Sequence, residues 1–593
     1  MLKVLLGLGL WAEAHHAIFD REPPPHLRGQ RAGMVSSAAA NLRVPTSLSP
    51  ARLEPSRPRI ASGTNPLARR RRIPCPRPSI PVPDLRLTNT LSRQQETLVP
   101  AERTPDGRPR LRFYSCGPTV YSYAHIGNFR TFLTADLVVR VAEALDWSVA
   151  YVSNITDVGH LTNDDVADAD GEDKMAKALR SKEGEAFPTV YDLARHYATA
   201  LEDDWKRLNL RQPWVRPRAT EHVTEQIEAV ERLIASGHAY ATDEAVYFSV
   251  TSFPAYGRLS GNTLDTPLLE AVRDVVVDEG KRDPRDFALW KRDDAHLMQW
   301  YAPFGPDRDF KGFPGWHIEC SVMARKYLGD TLDLHAGGED LIFPHHECEI
   351  AQSEALTGKP FARMWMHTRF LMVEGEKMSK SKGNFYTVRD LVEPTEAAAA
   401  LGFPRGVDPL ALRYALLSGQ YKKPLNFTRK ALHDSAKAVE RYRSAQALAK
   451  TAAQANAPGD SGLSTALNDA YTRTLAALCD DLNTPAAFAA ALDGVKAIEA
   501  ARDGMNGAAA QAALDWLDRT NALLGVVASD YALPSAAPAE PTGPPAEVLA
   551  LVDERAAARA AKDFAASDRL RDALATLGFA VRDTPAGQEL TPL

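Results

Sequence analysis

The chain has 593 residues, 45% hydrophobic and 25% charged, an ordinary globular composition with room for about two to four domains. No apolar run reaches the roughly 18 residues that a membrane-spanning helix needs. Five cysteines (Cys75, Cys116, Cys320, Cys348 and Cys479) are too few and too scattered for a disulfide framework, which points to a reducing compartment. The net charge of −6 hides an asymmetry: residues 1–100 carry 15 Lys and Arg against 6 Asp and Glu, and the remainder carries 55 against 70. An acidic body does not exclude a nucleic-acid partner, because local patches decide that contact.

In chain order, residues 1–84 come first. They are Pro-rich ("REPPPH", "CPRPSIPVP") and basic ("ARRRRIP"), and hydrophobic periodicity is lost after the first 19, so most of this segment reads as disordered. Its start, "MLKVLLGLGLWAEA", imitates a signal peptide, and the rest is Arg- and Ser-rich as transit peptides are. Both a targeting segment and upstream sequence joined through a misplaced start codon fit it.

Order is expected from Leu85. "LRFYSC" (111–116) reads as a buried strand ending at a "CGPT" turn, and a helix follows from Ile126 with Phe129, Phe132, Leu133, Leu137 and Val141 at helical spacing. "SVAYVSNIT" (148–156) is the next strand, which makes a βαβ unit and hence a parallel sheet. Residues 161–310 mix helices with short strands and read as an insertion. Strand signals return at "TLDLHAGG" (331–338), followed by a helix holding "FPHHECEIA" (343–351). From Ala431 the chain is helical and Ala-rich, then a Pro/Ala linker (532–547) leads to a small unit, 548–593. The expected fold is α/β: a Rossmann-like catalytic domain in two halves, 85–160 and 311–375, split by the insertion. It continues through 376–430 into a helical bundle, 431–531. No internal repeat is visible.

Two motifs suit phosphate. "HIGN" (His125–Asn128) lies where a parallel strand hands over to a helix N-terminus, a natural anion site, and Gly127 permits close backbone approach. "KMSKSKGN" (Lys377–Asn384) sets lysines and serines in a Gly-containing loop. Alone, the first is more often a simple turn and the second a solvated basic loop. Together, about 250 residues apart, they are the signature of class I aminoacyl-tRNA synthetases.

With "CGPTVYSYAHIGN", "NITDVGH", "GWHIECSVM", "HAGGEDLIFPHHECEIAQSEA", "EKMSKSKGNF" and "DDLNTPAA", the sequence closely resembles the cysteinyl-tRNA synthetase family over roughly residues 85–590. The resemblance implies one zinc ion held by Cys116, Cys320, His345 and Glu349. The residues agree in part. His345 and Glu349 are i and i+4 on one helix face, His346 points about 100° away, and Cys348 at i+3 remains a geometric alternative. Cys116 and Cys320 are expected at strand ends, where open α/β sheets place their ligands. On the residues alone, a structural zinc and a buried ion-pair cluster explain this set equally. Two thiols, an imidazole and a carboxylate suit zinc better than a hard cation. In the family the metal selects: a thiol of pKa about 8.5 deprotonates on zinc, and a serine hydroxyl cannot match that bond. Shape alone rejects such an isostere by only about a hundredfold. No separate editing domain is then required.

The resemblance further implies ligation of L-cysteine to tRNA(Cys) through a cysteinyl-adenylate, with ATP and Mg²⁺. It implies a monomer in the cytoplasm, with organellar import left open by residues 1–84. It assigns His125, Gly127 and Asn128 to the phosphates, Lys377 and Lys380 to the departing pyrophosphate, and Asp340 to the nucleotide and amino-acid site. Trp316, His317 and His335 are assigned to the substrate pocket, although core packing explains Trp316 equally well. Gly383 suggests that the lysine loop closes on binding. The commoner family motif has His where Asn128 stands, and asparagine donates to phosphate without being a cation. Arg555, Arg559, Lys562, Arg569 and Arg571 are candidates for RNA backbone contact. A tryptophan that many family members carry after "DTP-x-G" is missing. Two other readings are a cysteine ligase acting on an amino sugar and a silent RNA-binding paralogue. The anticodon-side helices argue against the first, and the intact ligand set and lysines against the second.

Overall fold

Four parallel strands position the site: β1 (Pro109–Ser115), β2 (Ser148–Ser153), β3 (Leu334–Gly338) and β4 (Trp365–Thr368). They lie in the order β2-β1-β3-β4, with Tyr114 paired to Val152 on one side and to His335 on the other. The computed structural model describes residues 83–159, 161–163, 170–265, 280–305, 308–379, 382–454, 462–529, 546–577, 579–584 and 587–592. The readings of residues 1–82, of most of the 532–547 linker and of Lys380 lie outside these.

Between β1 and β2 runs helix α1 (Ile126–Ala144), 14 of whose 19 residues are buried. A helix buried almost all round needs cover on both faces. Here the sheet covers one, and the helices Pro409–Leu416 and Gly507–Leu524 cover the other. Three of the buried residues are charged, so each must be paired. The Asp136 carboxylate accepts from Arg140 Nε at 2.7 Å, from the Arg211 backbone N–H at 2.6 Å and from Arg413. Arg413 also donates to the carbonyls of Leu524 (2.9 Å) and Leu208 (3.1 Å), and Arg140 to that of Ala522 (2.9 Å). Two guanidiniums thus satisfy the C-terminal carbonyls of Gly507–Leu524, where cations also suit the helix dipole. Arg130 likewise donates to the carbonyls of Phe370 and Lys423, both at 2.7 Å.

The segment between the two halves of the parallel sheet holds an antiparallel sheet of five strands, in the order Trp300–Ala302, Phe310–Pro314, Phe287–Arg292, Ala245–Phe248, Ala239–Ala241. Trp290, Phe248 and Phe287 anchor a second hydrophobic cluster beneath it. Helices Arg429–Ala452, Gly462–Cys479, Thr484–Ala500 and Gly507–Leu524 form the bundle. The last unit pairs helices Ala546–Ala560 and Phe564–Thr576 with a hairpin, Phe579–Thr584 and Gly587–Pro592. One expectation fails there. Arg555 is buried and grips Asp583 with two bonds of 3.0 Å, so it cannot reach RNA; Arg559, Lys562, Arg569 and Arg571 are exposed.

The Asp136 knot generates a stability prediction. Burial raises the carboxyl pKa, but Arg140 and Arg413 outweigh it and hold it down to about 2. A depressed pKa means the stabilisation is complete above the unfolded value of about 3.9 and is lost as pH falls through the folded value. Asp136→Asn leaves two buried guanidiniums short of a counter-charge and is expected to cost about 3–5 kcal/mol in urea unfolding at pH 7. The gap between variant and wild type should close as the pH falls from 4 towards 2.

Candidate active site

The strand order reverses at β1, whose neighbours β2 and β3 are reached by connections on opposite sides. Open α/β sheets bind ligands outside the C-terminal ends of strands at such a point. Cys116 follows β1 directly, His335 lies in β3 and His367 in β4. Cys320 is not at a strand end as expected: it lies in the second turn of helix α2 (Trp316–Leu328), which points its thiol back over β1.

Cys116, Cys320, His345 and Glu349 are all buried, and their donor atoms lie within 4.8 Å of one another. The two sulfurs are 3.8 Å apart, and Glu349 Oε1 is 2.8 Å from His345 Nε2 and 3.5 Å from Cys116 Sγ. A second set, Cys116, His335, His346 and Glu349, meets the same limit. His346 Nε2 is 3.3 Å from Cys116 Sγ, and His335 Nε2 is 2.7 Å from Glu349 Oε2. The sequence reading set His346 aside because ideal helix geometry turns it away. His345 and His346 precede Glu349 by four and three residues, both neighbouring positions on a helix face, and the backbone kinks before them at Phe343 (φ −138°, ψ 133°), ahead of helix α3 (Glu347–Thr357). Consecutive histidines therefore both face the cluster. Cys348, which the sequence left open, belongs to neither set and sits in the second hydrophobic cluster, 3.9 Å from Tyr256 OH.

Charge is distributed unevenly in this pocket. Burial opposes the His345 imidazolium, but Glu349 and Cys320 outweigh it and lift its pKa to about 10. Burial pushes the Cys320 thiol up, yet the Cys116 hydrogen bond and His345 bring it down to about 6. Burial and the neighbouring Cys320 hold Cys116 protonated, well above its usual range. Burial works against Glu349 too, but His335 and His345 keep it ionised. His345 must give up its proton before its Nε2 can bind a cation.

The remaining expected pocket residues converge here. Trp316 lies over the His345 ring at 4.3 Å between centroids, so it lines the cluster rather than the core. His317 Nδ1 is 3.0 Å from His345 Nδ1. The His335 ring stacks on Trp365 at 4.6 Å. Asp340 is exposed, in the turn Glu339–Leu341 just past β3. Sequence reasoning missed His367, whose Nε2 is 2.8 Å from His346 Nδ1; a lone histidine in "MWMHT" carries no spacing signal.

The two phosphate motifs meet. Ile126 N–H donates to the Tyr386 carbonyl at 2.9 Å, and His125 pairs with Thr387 as an antiparallel bridge. A Cβ on Gly127 would lie 2.9 Å from the His125 ring and 3.0 Å from Met378 Cε, so the second motif's loop packs directly over the first. His125 and Asn128 form a reciprocal cap: Asn128 N–H donates to His125 Nδ1 and His125 N–H to Asn128 Oδ1, both at 3.1 Å. Burial holds the His125 pKa down to about 4, so its ring is neutral near pH 7. With Nδ1 accepting, the proton sits on Nε2, which becomes a donor. Lys377 is exposed, and Asn384 braces its loop by donating to the Lys377 carbonyl (3.2 Å) and accepting from Ser379 N–H (2.9 Å). Gly383 has φ +68°.

The profile of the tRNA synthetases class I (C) catalytic domain matches residues 104–437. The DALR domain matches 474–528 and the cysteinyl-tRNA ligase anticodon binding domain 542–590. A cysteine–tRNA ligase of Salinibacter ruber is 57% identical over 520 residues, 86% of this chain and 98% of that one. The chain belongs to the cysteinyl-tRNA synthetase family. One from Chlorobaculum tepidum is 40% identical over 85% of this chain and 98% of its own length. The LeuRS–tRNA–LeuAMS complex of Agrobacterium radiobacter K84 shares the fold alone, at 11% identity and TM-score 0.50, over 72% of this chain and 85% of that one.

The two candidate ligand sets share Cys116 and Glu349, so their histidines tell them apart. Glu349 Oε1 faces His345 and Cys116 while Oε2 is held by His335, the pattern of a ligand with an outer hydrogen-bond partner. His345→Ala is therefore expected to lose bound divalent metal on dialysis, measured by elemental analysis, and His346→Ala to retain at least half. The reverse result would assign the metal to His335 and His346.

Proposed function

We propose that the chain ligates L-cysteine to tRNA(Cys) in two steps, with a cysteinyl-adenylate between them. The observation that carries this is the meeting of the two phosphate motifs at the same strand ends that hold a buried set of two thiols, an imidazole and a carboxylate. ATP with Mg²⁺ would lie across His125–Asn128 at the N-terminus of α1, where the helix dipole favours anions. His125, neutral, donates from Nε2 to a phosphate oxygen; Asn128 can donate from its amide nitrogen while its oxygen stays in the cap. Lys377 and Lys380 take up the charge of the leaving pyrophosphate, an interaction that grows towards the transition state. Asp340 contributes at the nucleotide and amino-acid site. The cysteine carboxylate attacks the α-phosphate, and the terminal ribose of the tRNA then takes the cysteinyl group.

The resident metal best suited to this donor set is zinc, on Cys116, Cys320, His345 and Glu349. When bound, it offers the substrate a metal–sulfur bond that serine cannot match. Trp316, His317 and His335 close the pocket around the substrate and hold the ligands in place. The bundle and the last unit are the tRNA-binding parts, which argues against an amino-sugar acceptor. A monomer acting in the cytoplasm is the expected form.

ATP–pyrophosphate exchange tests this reading. Cysteine is expected to support exchange and serine not. Cys320→Ser should lose both metal and exchange, and Lys380→Ala should keep the metal while losing exchange roughly a hundredfold or more. Metal-loaded wild type without cysteine-dependent exchange would overturn the proposal, and a charged amino sugar in place of tRNA would redirect it.

A further inference from the structure

A short N-terminal segment joins the bundle to the metal pocket. The turn between helices Gly462–Cys479 and Thr484–Ala500 puts Asp481 in the left-handed region (φ +58°) and buries its carboxylate. That carboxylate is satisfied from outside the bundle, by Thr88 N–H at 2.8 Å, Thr88 Oγ1 at 2.7 Å, Tyr421 OH at 2.6 Å and Lys422. Asp481 N–H in turn donates to the Arg86 carbonyl at 2.9 Å. The bundle therefore fixes the strand Arg86–Asn89.

The same strand runs on to β4. Asn89 Oδ1 accepts from Trp365 N–H at 3.1 Å, and Thr90 N–H donates to the Trp365 carbonyl at 2.7 Å. The Thr90 hydroxyl is 2.7 Å from His367 Nδ1, His367 Nε2 is 2.8 Å from His346 Nδ1, and His346 Nε2 is 3.3 Å from Cys116 Sγ. Four groups in line must agree on one hydrogen-bond direction, because a neutral imidazole has one donor and one acceptor. A hydroxyl can serve either direction. With the hydroxyl donating, each ring passes a donor inward and an N–H reaches the Cys116 sulfur.

We propose that Thr90 is a positioning residue for the cysteine pocket, setting the His367–His346 pair against Cys116, and that Asp481 anchors it from the bundle. This rests on the reading of the site given above. The tie works by linkage: whatever shifts the bundle turn shifts the pocket, and by reciprocity the pocket biases the bundle. It differs from the Asp136 knot, which bolts the bundle to α1 without touching the pocket.

The test uses the zinc-loaded full chain and four proteins: wild type, Thr90→Val, Thr90→Ser and Asp481→Asn, with the Thr90→Val/Asp481→Asn pair added. Two readouts are taken: the rate of zinc transfer to a chelator, and the KM values for cysteine and for ATP in pyrophosphate exchange. Loss of a ligand's own hydrogen-bond partner typically costs 10–100-fold in metal affinity; Thr90 acts on Cys116 through His367 and His346, so Thr90→Val is expected at the low end, speeding zinc loss and raising the cysteine KM by roughly tenfold. The ATP KM should stay within about twofold, and Thr90→Ser should behave as wild type. Asp481→Asn should move both readouts the same way by roughly threefold, and the double variant should be no worse than Thr90→Val. Zinc loss and cysteine KM unchanged in Thr90→Val would overturn the proposal. So would an ATP KM that rises in step with the cysteine KM, or single effects that multiply in the double variant. Zinc transfer needs no reaction, so a wild type without exchange would sink the functional reading while this tie is still judged on zinc loss.

Discussion

The site depends on one topological constraint, the reversal of strand order at β1. Because β2 and β3 flank β1 after connections in opposite directions, a gap is left beyond the end of β1. Cys116 is the first residue into that gap. The next turn starts α1, whose N-terminal dipole end faces the same gap, so a thiol and an anion cradle come from one stretch of about ten residues. The second half of the sheet then supplies His335 and His367 from neighbouring strands. A ligand spanning phosphate and thiol needs both ends fixed on one rigid frame, and parallel strands provide it.

Buried charge is what holds the surrounding parts to that frame. Arg130, Asp136 and Arg140 of α1 and Arg413 from the following segment are almost fully buried. Between them the arginines take carbonyls from four separate stretches of chain: 208–209, 369–370, 420–423 and 521–524. Hydrophobic contact is non-directional and would let these parts slide. Guanidinium-to-carbonyl bonds fix register as well as contact, and breaking one partner strands a charge in a low dielectric. Exposed salt bridges such as Arg473–Asp469 contribute little by comparison.

Much of this was legible in the sequence. The βαβ start, α1 from Ile126 and the two phosphate motifs stand where periodicity and motif spacing put them, because each depends on residues close together in the chain. The convergence of Cys116, Cys320, His345 and Glu349 was available only through family resemblance, since nothing local links positions over 200 apart. The sequence left His346 out because it turns about 100° from His345, yet a residue three before Glu349 also neighbours that carboxylate on the helix, and the structure brings it to Cys116. Arg555 looked like a free helix cation because its partner Asp583 lies 28 residues away, across a hairpin. The buried Asp481 carboxylate and its partners Thr88, Tyr421 and Lys422 were equally invisible: "DDLNTP" marks a turn, and a sequence does not show which distant donors a turn carboxylate will meet.

The inserted antiparallel sheet also belongs to the site's mechanics. Its strand Phe310–Pro314 runs directly into α2, and Gly315 at the junction lies so close that a Cβ there would sit 2.1 Å from the Ala288 carbonyl oxygen. The start of α2 is therefore clamped to the insertion. Further along, Ile318 and Val322 face the insertion's hydrophobic cluster, while Cys320, Met323 and Ala324 face the catalytic one. Helix α3 is divided in the same way, with Cys348 and Ala351 in the insertion's cluster and Ile350 in the other. Cys320 and Glu349 thus stand on helices held between two separately packed cores. Close packing on both sides resists displacement far better than one covered face. Ligands that must hold one geometry need support to within about 0.5 Å, and packing against the insertion supplies one side of that support for Cys320 and Glu349.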